Sequence, residues 1–179
     1  MCIANRQPLK VYLKPGDIYL MPEPAVVTTV LGSCVSITMY HPWLKVGGIC
    51  HGLLPNGDGR EGFKYVDCAF RYMLQQFRAL GARAGEIQAK LFGGASLFSA
   101  EGGAGSLSVG SKNVKTAMDL IRREGIKLAA SDTGGKVGRK ILFHTDTGEV
   151  FLKKLGSERC SCDREILKHS LPLGRPQKG

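Results

Sequence analysis

Apolar and polar residues alternate with a period of two over much of the first third of the chain, the period at which a β-strand turns successive side chains to opposite faces. Residues 25–30 are mostly β-branched, and Val35, Ile37 and Met39 alternate with Ser36, Thr38 and Tyr40. Two extended segments are therefore predicted on either side of Gly32-Ser33. After His41-Pro42-Trp43-Leu44, residues 46–54 form another short apolar segment, and a hairpin is the economical reading. Its Gly47-Gly48 pair predicts a bulge or a close approach of backbone. Residues 11–20 carry a looser pattern, broken by Pro15-Gly16 and followed by Pro22 and Pro24, which predicts a short strand and a loop.

Further along, the period lengthens to that of a helix. Val66, Ala69, Phe70, Met73, Leu74, Phe77 and Leu80 recur on one helical face, and Gly81 stands where a C-terminal cap is expected. Residues 87–92 predict a strand ending at Gly93-Gly94, and residues 99–110, rich in Gly, Ser and Ala, predict a mobile loop. A second helix presents Val114, Ala117, Met118 and Ile121 and closes at Gly125, before a strand over 126–130. Residues 132–138 read as a Gly-rich turn. Residues 140–144 and 149–155 read as a hairpin across Thr145-Asp146-Thr147-Gly148. The pattern as a whole contains no internal repeat. It predicts a single-domain α+β fold in which a mixed or antiparallel sheet is covered by at least two helices.

Length and composition narrow this further. The chain has 179 residues, enough for one well-buried core and too few to divide comfortably between two ordinary domains. Residues 1–155 are expected to form the domain, and 156–179 a weakly ordered basic tail where Lys, Arg, Gly and Pro collect. No apolar run approaches the roughly 20 residues of a membrane span, so no membrane insertion is expected. The first residues lack a basic region followed by a long apolar stretch, which makes the cytoplasm the expected compartment. Cys2, Cys34, Cys50, Cys68, Cys160 and Cys162 contain no C-x-x-C pair and match neither a zinc ribbon nor a disulfide framework. Most are expected to be buried thiols. Lys and Arg total 25 against 15 Asp and Glu, a formal charge of +10 that draws acidic partners, whether nucleic acid, anionic lipid or an acidic protein.

Chemistry enters with Cys34 and His51. If Pro42-Trp43 is a two-residue turn, Tyr40 opposes Lys45 and Cys34 falls opposite His51, with β-carbons roughly 4.5 to 5.5 Å apart. A bulge at Gly47-Gly48 would shift that register by a residue. A thiol beside an imidazole makes a nucleophile for acyl bonds, amides included, because the imidazole takes the thiol proton and later returns one to the leaving group. Gly32 and Ser33 let the backbone turn sharply before Cys34 and aim amide N–H groups at a developing oxyanion. A lone cysteine flanked by Val35 and Ile37 is more often plain packing, so spacing alone leaves both readings open.

A wider string carries more. Thr28-Thr29-Val30-Leu31-Gly32-Ser33-Cys34-Val35, then Cys50-His51 and Leu54-Pro55, resembles the CheD family of chemoreceptor glutamine deamidases. Ala89-Lys90-Leu91-Phe92-Gly93-Gly94-Ala95 and Asp132-Thr133-Gly134-Gly135-Lys136-Val137-Gly138-Arg139 are similar to two further family segments. Val109-Gly110-Ser111-Lys112-Asn113 resembles another, with Lys112 where Arg is more usual. The resemblance runs from about Val11 to Leu155. It implies a fold shared with the deamidase domains of cytotoxic necrotizing factors, and a Cys-His-Thr triad whose roles fall by motif position on Cys34, His51 and Thr28. Thr28 would orient the imidazole through its hydroxyl or nearby backbone, with Thr29 beside it. The implied reaction is hydrolysis of a receptor glutamine side chain through a thioester, without metal or organic cofactor. The implied partner is the cytoplasmic region of a methyl-accepting chemoreceptor. The resemblance also admits a non-catalytic role, binding a CheC-type phosphatase and stimulating its action on phosphorylated CheY.

Other candidates carry less. Residues 105–112 miss a phosphate-binding loop because Ser111 separates Gly110 from Lys112. Cys160, Cys162, Asp163 and His169 match no common zinc spacing, so only adventitious metal binding is expected there. His41 and His144 stand at turn-like positions where an exposed, inert histidine is usual, and Trp43 and Cys68 are most simply packing. Asp132 and the glycines after it line the catalytic mouth or merely make a turn. A basic RNA-binding module fits the charge, but no aromatic stacking motif accompanies it, so no nucleic-acid partner is expected.

Overall fold

The computed structural model describes residues 7–96 and 107–156. In chain order the elements are β1 (Leu9–Tyr12), β2 (Ile18–Leu20), β3 (Ala25–Leu31), β4 (Val35–His41), β5 (Val46–Gly52), α1 (Val66–Ala79), β6 (Gln88–Gly93), α2 (Val109–Arg123), β7 (Lys127–Thr133), β8 (Gly138–His144) and β9 (Val150–Leu155). The strands form two sheets, ordered β1-β3-β8-β9 and β2-β5-β4-β6-β7. β1–β3 and β6–β7 are parallel pairs and the others antiparallel, so this is the mixed α+β architecture the periodicities predict.

Three layers result. Val35, Ile37, Met39, Cys50 and Leu91 turn one face of the five-stranded sheet toward the helices, where they meet Phe70, Met73 and Phe77 of α1 and Ala117 and Ile121 of α2. A second core lies between the sheets, built from Val27, Leu31, Ile141 and Phe143 on one side and Ile49 and Phe92 on the other. β4 is thus covered on both faces, and even its polar Ser36 and Thr38 are buried. Burial of this apolar surface is the main force holding the layers together, at roughly 25 cal/mol per Å².

β4 and β5 pair without a register shift, from His41 opposite Val46 to Val35 opposite Gly52. The turn between them is four residues long, 42–45, with Lys45 at φ 52°, where a two-residue turn was expected. Gly47-Gly48 makes no bulge, and the reading of close approach is the one that holds. A β-carbon on Gly47 would lie 2.6 Å from the carbonyl oxygen of Thr145, in the turn that follows β8.

Helix α1 ends at Gly81, at φ +88°, as its sequence predicts. Helix α2 begins earlier than expected. Val109 and Gly110, read as the end of a loop, form its first turn, because the Ser108 hydroxyl accepts a hydrogen bond from the Ser111 amide at 3.2 Å. β7 runs through Thr133, which makes Asp132 a strand residue rather than part of a turn. His41 is 4% exposed and Trp43 82% exposed, the reverse of expectation for both. Residues 1–6, 97–106 and 157–179 lie outside the described residues, and with them most of the expected mobile loop, the tail and the Cys160–His169 group.

Candidate active site

The segment 32–34 carries the chain from β3 in one sheet to β4 in the other. Its three carbonyls are all held by the body of the protein. Gly32 accepts from the Ala95 amide at 2.8 Å, Ser33 from the Asn113 side-chain amide at 3.1 Å, and Cys34 from the Gly94 amide at 2.8 Å. The support is close enough to demand glycine at position 93, where φ is +104° and a β-carbon would collide with the Cys34 carbonyl oxygen. The amides of Ser33 and Cys34 donate to no main-chain carbonyl among the described residues. Cys34 itself is half-buried at the rim of the inter-sheet core.

His51 stands near the end of β5, 2% exposed. The four-residue turn moves the register by two, so Ser36 rather than Cys34 is its direct partner. Cys34 precedes Ser36 by two residues and shares its face. That places it diagonally from His51, a separation of about 7–8 Å between such positions in a regular ladder and within span of the two side chains. The loop before β2 covers the histidine from the other side. The Gly16 amide donates to the His51 carbonyl at 2.8 Å, and the His51 amide donates to the Asp17 carbonyl at 3.0 Å.

The imidazole is oriented by Thr29. Its Oγ1 lies 2.8 Å from His51 Nδ1 and 2.9 Å from the Leu13 carbonyl oxygen. A carbonyl only accepts, so the single hydroxyl proton goes to Leu13, and Nδ1 must be the donor to the hydroxyl. Nε2 is then the unprotonated nitrogen, buried and without a partner. Ala25, Val27, Thr29 and Leu31 face the inter-sheet core, whereas Val26, Thr28 and Val30 face outward, so the Thr28 hydroxyl is on the wrong side of the strand. Thr28 contributes through its main chain, its carbonyl accepting from the Leu13 amide at 2.9 Å.

Burial governs the charge state of both groups. It pushes the Cys34 thiol up, opposed only in part by the residue's own amide N–H beside the sulfur. It pushes the His51 imidazole down, opposed by the Leu13 carbonyl and the Asp17 carboxylate. The resting pair is therefore a neutral thiol and a neutral base. Cys50 is fully buried and pushed up to about 12, and the Cys68 thiol donates to the Arg60 carbonyl at 3.5 Å. Among the described cysteines Cys34 is the one that borders the inter-sheet core, the side on which the His51 imidazole meets Thr29 and leaves Nε2 without a partner.

One layer out, the nearly buried Arg139 binds Asp132 at 2.6 Å and the carbonyls of Gly134 and Val137, and so holds the Gly-rich turn. That turn meets the support of Cys34 through the Gly134 amide on the Gly93 carbonyl at 2.9 Å. Asp132 is thus a structural anchor of the neighbouring turn. Two contributors hold no role of their own in the sequence reading. Thr29 stands there only as the neighbour of Thr28, since β-branched residues occupy both faces of β3. Asn113 carries a signal, a polar residue four positions before Ala117 on the buried face of α2. Among the described residues no group of three or more His, Cys, Asp or Glu is arranged to hold a metal ion.

The family model described as CheD chemotactic sensory transduction matches residues 53–154. A Geobacter sulfurreducens protein named "Probable chemoreceptor glutamine deamidase CheD 2" is 47% identical over 145 residues, 81% of this chain and 89% of its own length. One of the same name without the numeral, from Maridesulfovibrio salexigens, is 40% identical over 82% of this chain and 92% of its own. A "Chemoreceptor glutamine deamidase CheD" of Thermotoga maritima is 35% identical over 79% of this chain and 89% of its own.

Proposed function

The chain belongs to the CheD family, and from that premise we propose that it hydrolyses the side-chain amide of chemoreceptor glutamines to glutamate, with Cys34 as nucleophile and His51 as base and acid. The observation that carries the residue assignment is the unpartnered Nε2 of an imidazole whose Nδ1 is already committed to Thr29.

The steps follow from the charge state. As the substrate carboxamide enters, Nε2 takes the Cys34 proton and the thiolate attacks the carboxamide carbon. The Cys34 amide N–H, beside the sulfur and bonded to no carbonyl, donates to the oxyanion that forms. Collapse of the tetrahedral intermediate expels ammonia, which carries away the proton held on His51, and leaves a thioester. Water, deprotonated by the same Nε2, cleaves the thioester, yielding glutamate and the free thiol. Thr29 keeps the imidazole in the tautomer that both halves require.

The formal charge of +10 suits a substrate segment rich in glutamate and glutamine. Such a segment in the receptor's cytoplasmic region sets the protein in the cytoplasm. In keeping with that, no helix among the described residues is long and apolar enough to cross a membrane.

The test is Cys34→Ala, assayed on a receptor cytoplasmic fragment by mass spectrometry of its glutamines. Complete loss of conversion is expected. Conversion that survives the substitution overturns the assignment.

A further inference from the structure

We propose that Asn113 is a positioning residue that aims the Cys34 amide as the oxyanion donor; this rests on the thioester reading above and deepens it. Asn113 is fully buried on α2, on the face it shares with Ala117 and Ile121. Its Nδ2 donates to two carbonyls from separate parts of the chain, Ser33 at 3.1 Å and Leu53 at 2.9 Å. Ser33 immediately precedes the nucleophile, and Leu53 lies two residues beyond the base. The orientation of the amide follows from chemistry, since both neighbours of Nδ2 are acceptors. Oδ1 is left buried with no partner. Burying an unsatisfied acceptor is unfavourable, and a side chain kept only to fill space would be apolar.

The consequence at the reacting centre comes from peptide planarity. The Ser33 carbonyl and the Cys34 N–H belong to one trans peptide unit, so they point in opposite directions. Tying the Ser33 oxygen inward to α2 turns the Cys34 N–H outward, toward the sulfur's side, where an oxyanion would form. The second bond, to Leu53, anchors the same side chain to the segment continuing from β5. The helix comes close enough because Gly110, one turn before Asn113, meets Gly94 backbone to backbone. A β-carbon on Gly110 would lie 2.6 Å from the Gly94 carbonyl oxygen. Gly94 is also the donor to the Cys34 carbonyl. No other side chain among the described residues bonds to the 32–34 segment.

The test uses Asn113→Asp, nearly isosteric but without the two N–H donors when ionised, and Asn113→Ser, which keeps one donor. Two reactions of Cys34 that need no receptor are compared in the full chain. Acetylation by p-nitrophenyl acetate passes through a tetrahedral oxyanion as the sulfur bonds the acetyl carbon and p-nitrophenolate leaves. Alkylation by iodoacetamide forms no oxyanion. For a folded variant, acetylation should fall on the order of 10²-fold while alkylation stays near the unaltered rate. Receptor deamidation should lose kcat by a similar factor with KM unchanged. Both reactions falling together, or neither, overturns the proposal, as does failure of both variants to fold. If the unaltered protein acetylates but converts no receptor glutamine, the substrate reading fails, and the comparison of the two reagents still decides the role of Asn113.

Discussion

Replacing Thr29 with Val removes one oxygen atom and keeps the β-branched shape in its fully buried place. Two buried polar groups lose their partner, the Nδ1–H of His51 and the carbonyl of Leu13. A buried group so orphaned costs about 1–3 kcal/mol. The imidazole can escape its share by moving the proton to Nε2, but that consumes the lone pair needed to deprotonate Cys34. A preference of about 1–3 kcal/mol for the wrong tautomer corresponds to a loss of about 5- to 150-fold in kcat at 1.36 kcal/mol per tenfold. Thr28→Val, one position away with its hydroxyl on the outer face, should leave the rate nearly unaltered. The assay is conversion of glutamine in a receptor cytoplasmic fragment, followed by mass spectrometry at saturating and limiting substrate, with urea melts of both variants. An undiminished kcat in Thr29→Val refutes the reasoning. Loss in Thr28→Val instead would return the orienting role to the position that motif resemblance assigns.

Burial raises the Cys34 thiol and lowers the His51 imidazole, so alkylation by iodoacetamide should climb with pH up to and beyond the ordinary thiol value of about 8.5. A flat rate through neutral pH, the mark of a preformed thiolate–imidazolium pair, would contradict this. For His51 the unfolded chain binds more protons just below the ordinary imidazole value of about 6.5. Its contribution to stability is therefore complete above that pH and is lost as pH falls toward the lowered native value. His51→Gln should flatten this acid limb in urea melts, and an unchanged limb would assign it elsewhere. Gly93→Ala adds to the strain of a positive φ, about 1–3 kcal/mol, a collision with the Cys34 main chain. It should lower Tm and thiol reactivity more than Gly134→Ala, where φ is +73° and nothing lies within 4 Å of the new carbon. Equal effects would mean that contact with Cys34 is immaterial.

Much of the secondary structure was legible because each element carries its own period. The alternation through Val35, Ile37 and Met39 is β4, and the spacing of Val66, Phe70, Met73 and Phe77 is α1. Gly81 and Gly125 mark helix ends because both take positive φ there. Cys34 and His51 were found by the strings around them, and the structure puts them on one face of one sheet. The distance in register between them was misread, since nothing local distinguishes a turn of Pro42-Trp43 from one of 42–45. Two residues of error still left the pair on the same side, because an even shift preserves the face of a strand.

What the sequence determined by itself was the set of local elements and the α+β class, written into contiguous residues through strand and helix periods, and the short motifs that single out Cys34 and His51 as candidates. Only the tertiary structure decided which threonine serves the imidazole and which helix supports the thiol. β3 is β-branched on both faces, and the choice of Thr29 over Thr28 appears when its inner face closes on the second sheet. Asn113 reaches Ser33 and Leu53 across separations of 80 and 60 residues. Such contacts depend on how layers stack, and stacking is set by burial summed over the whole chain, which no local window of residues contains.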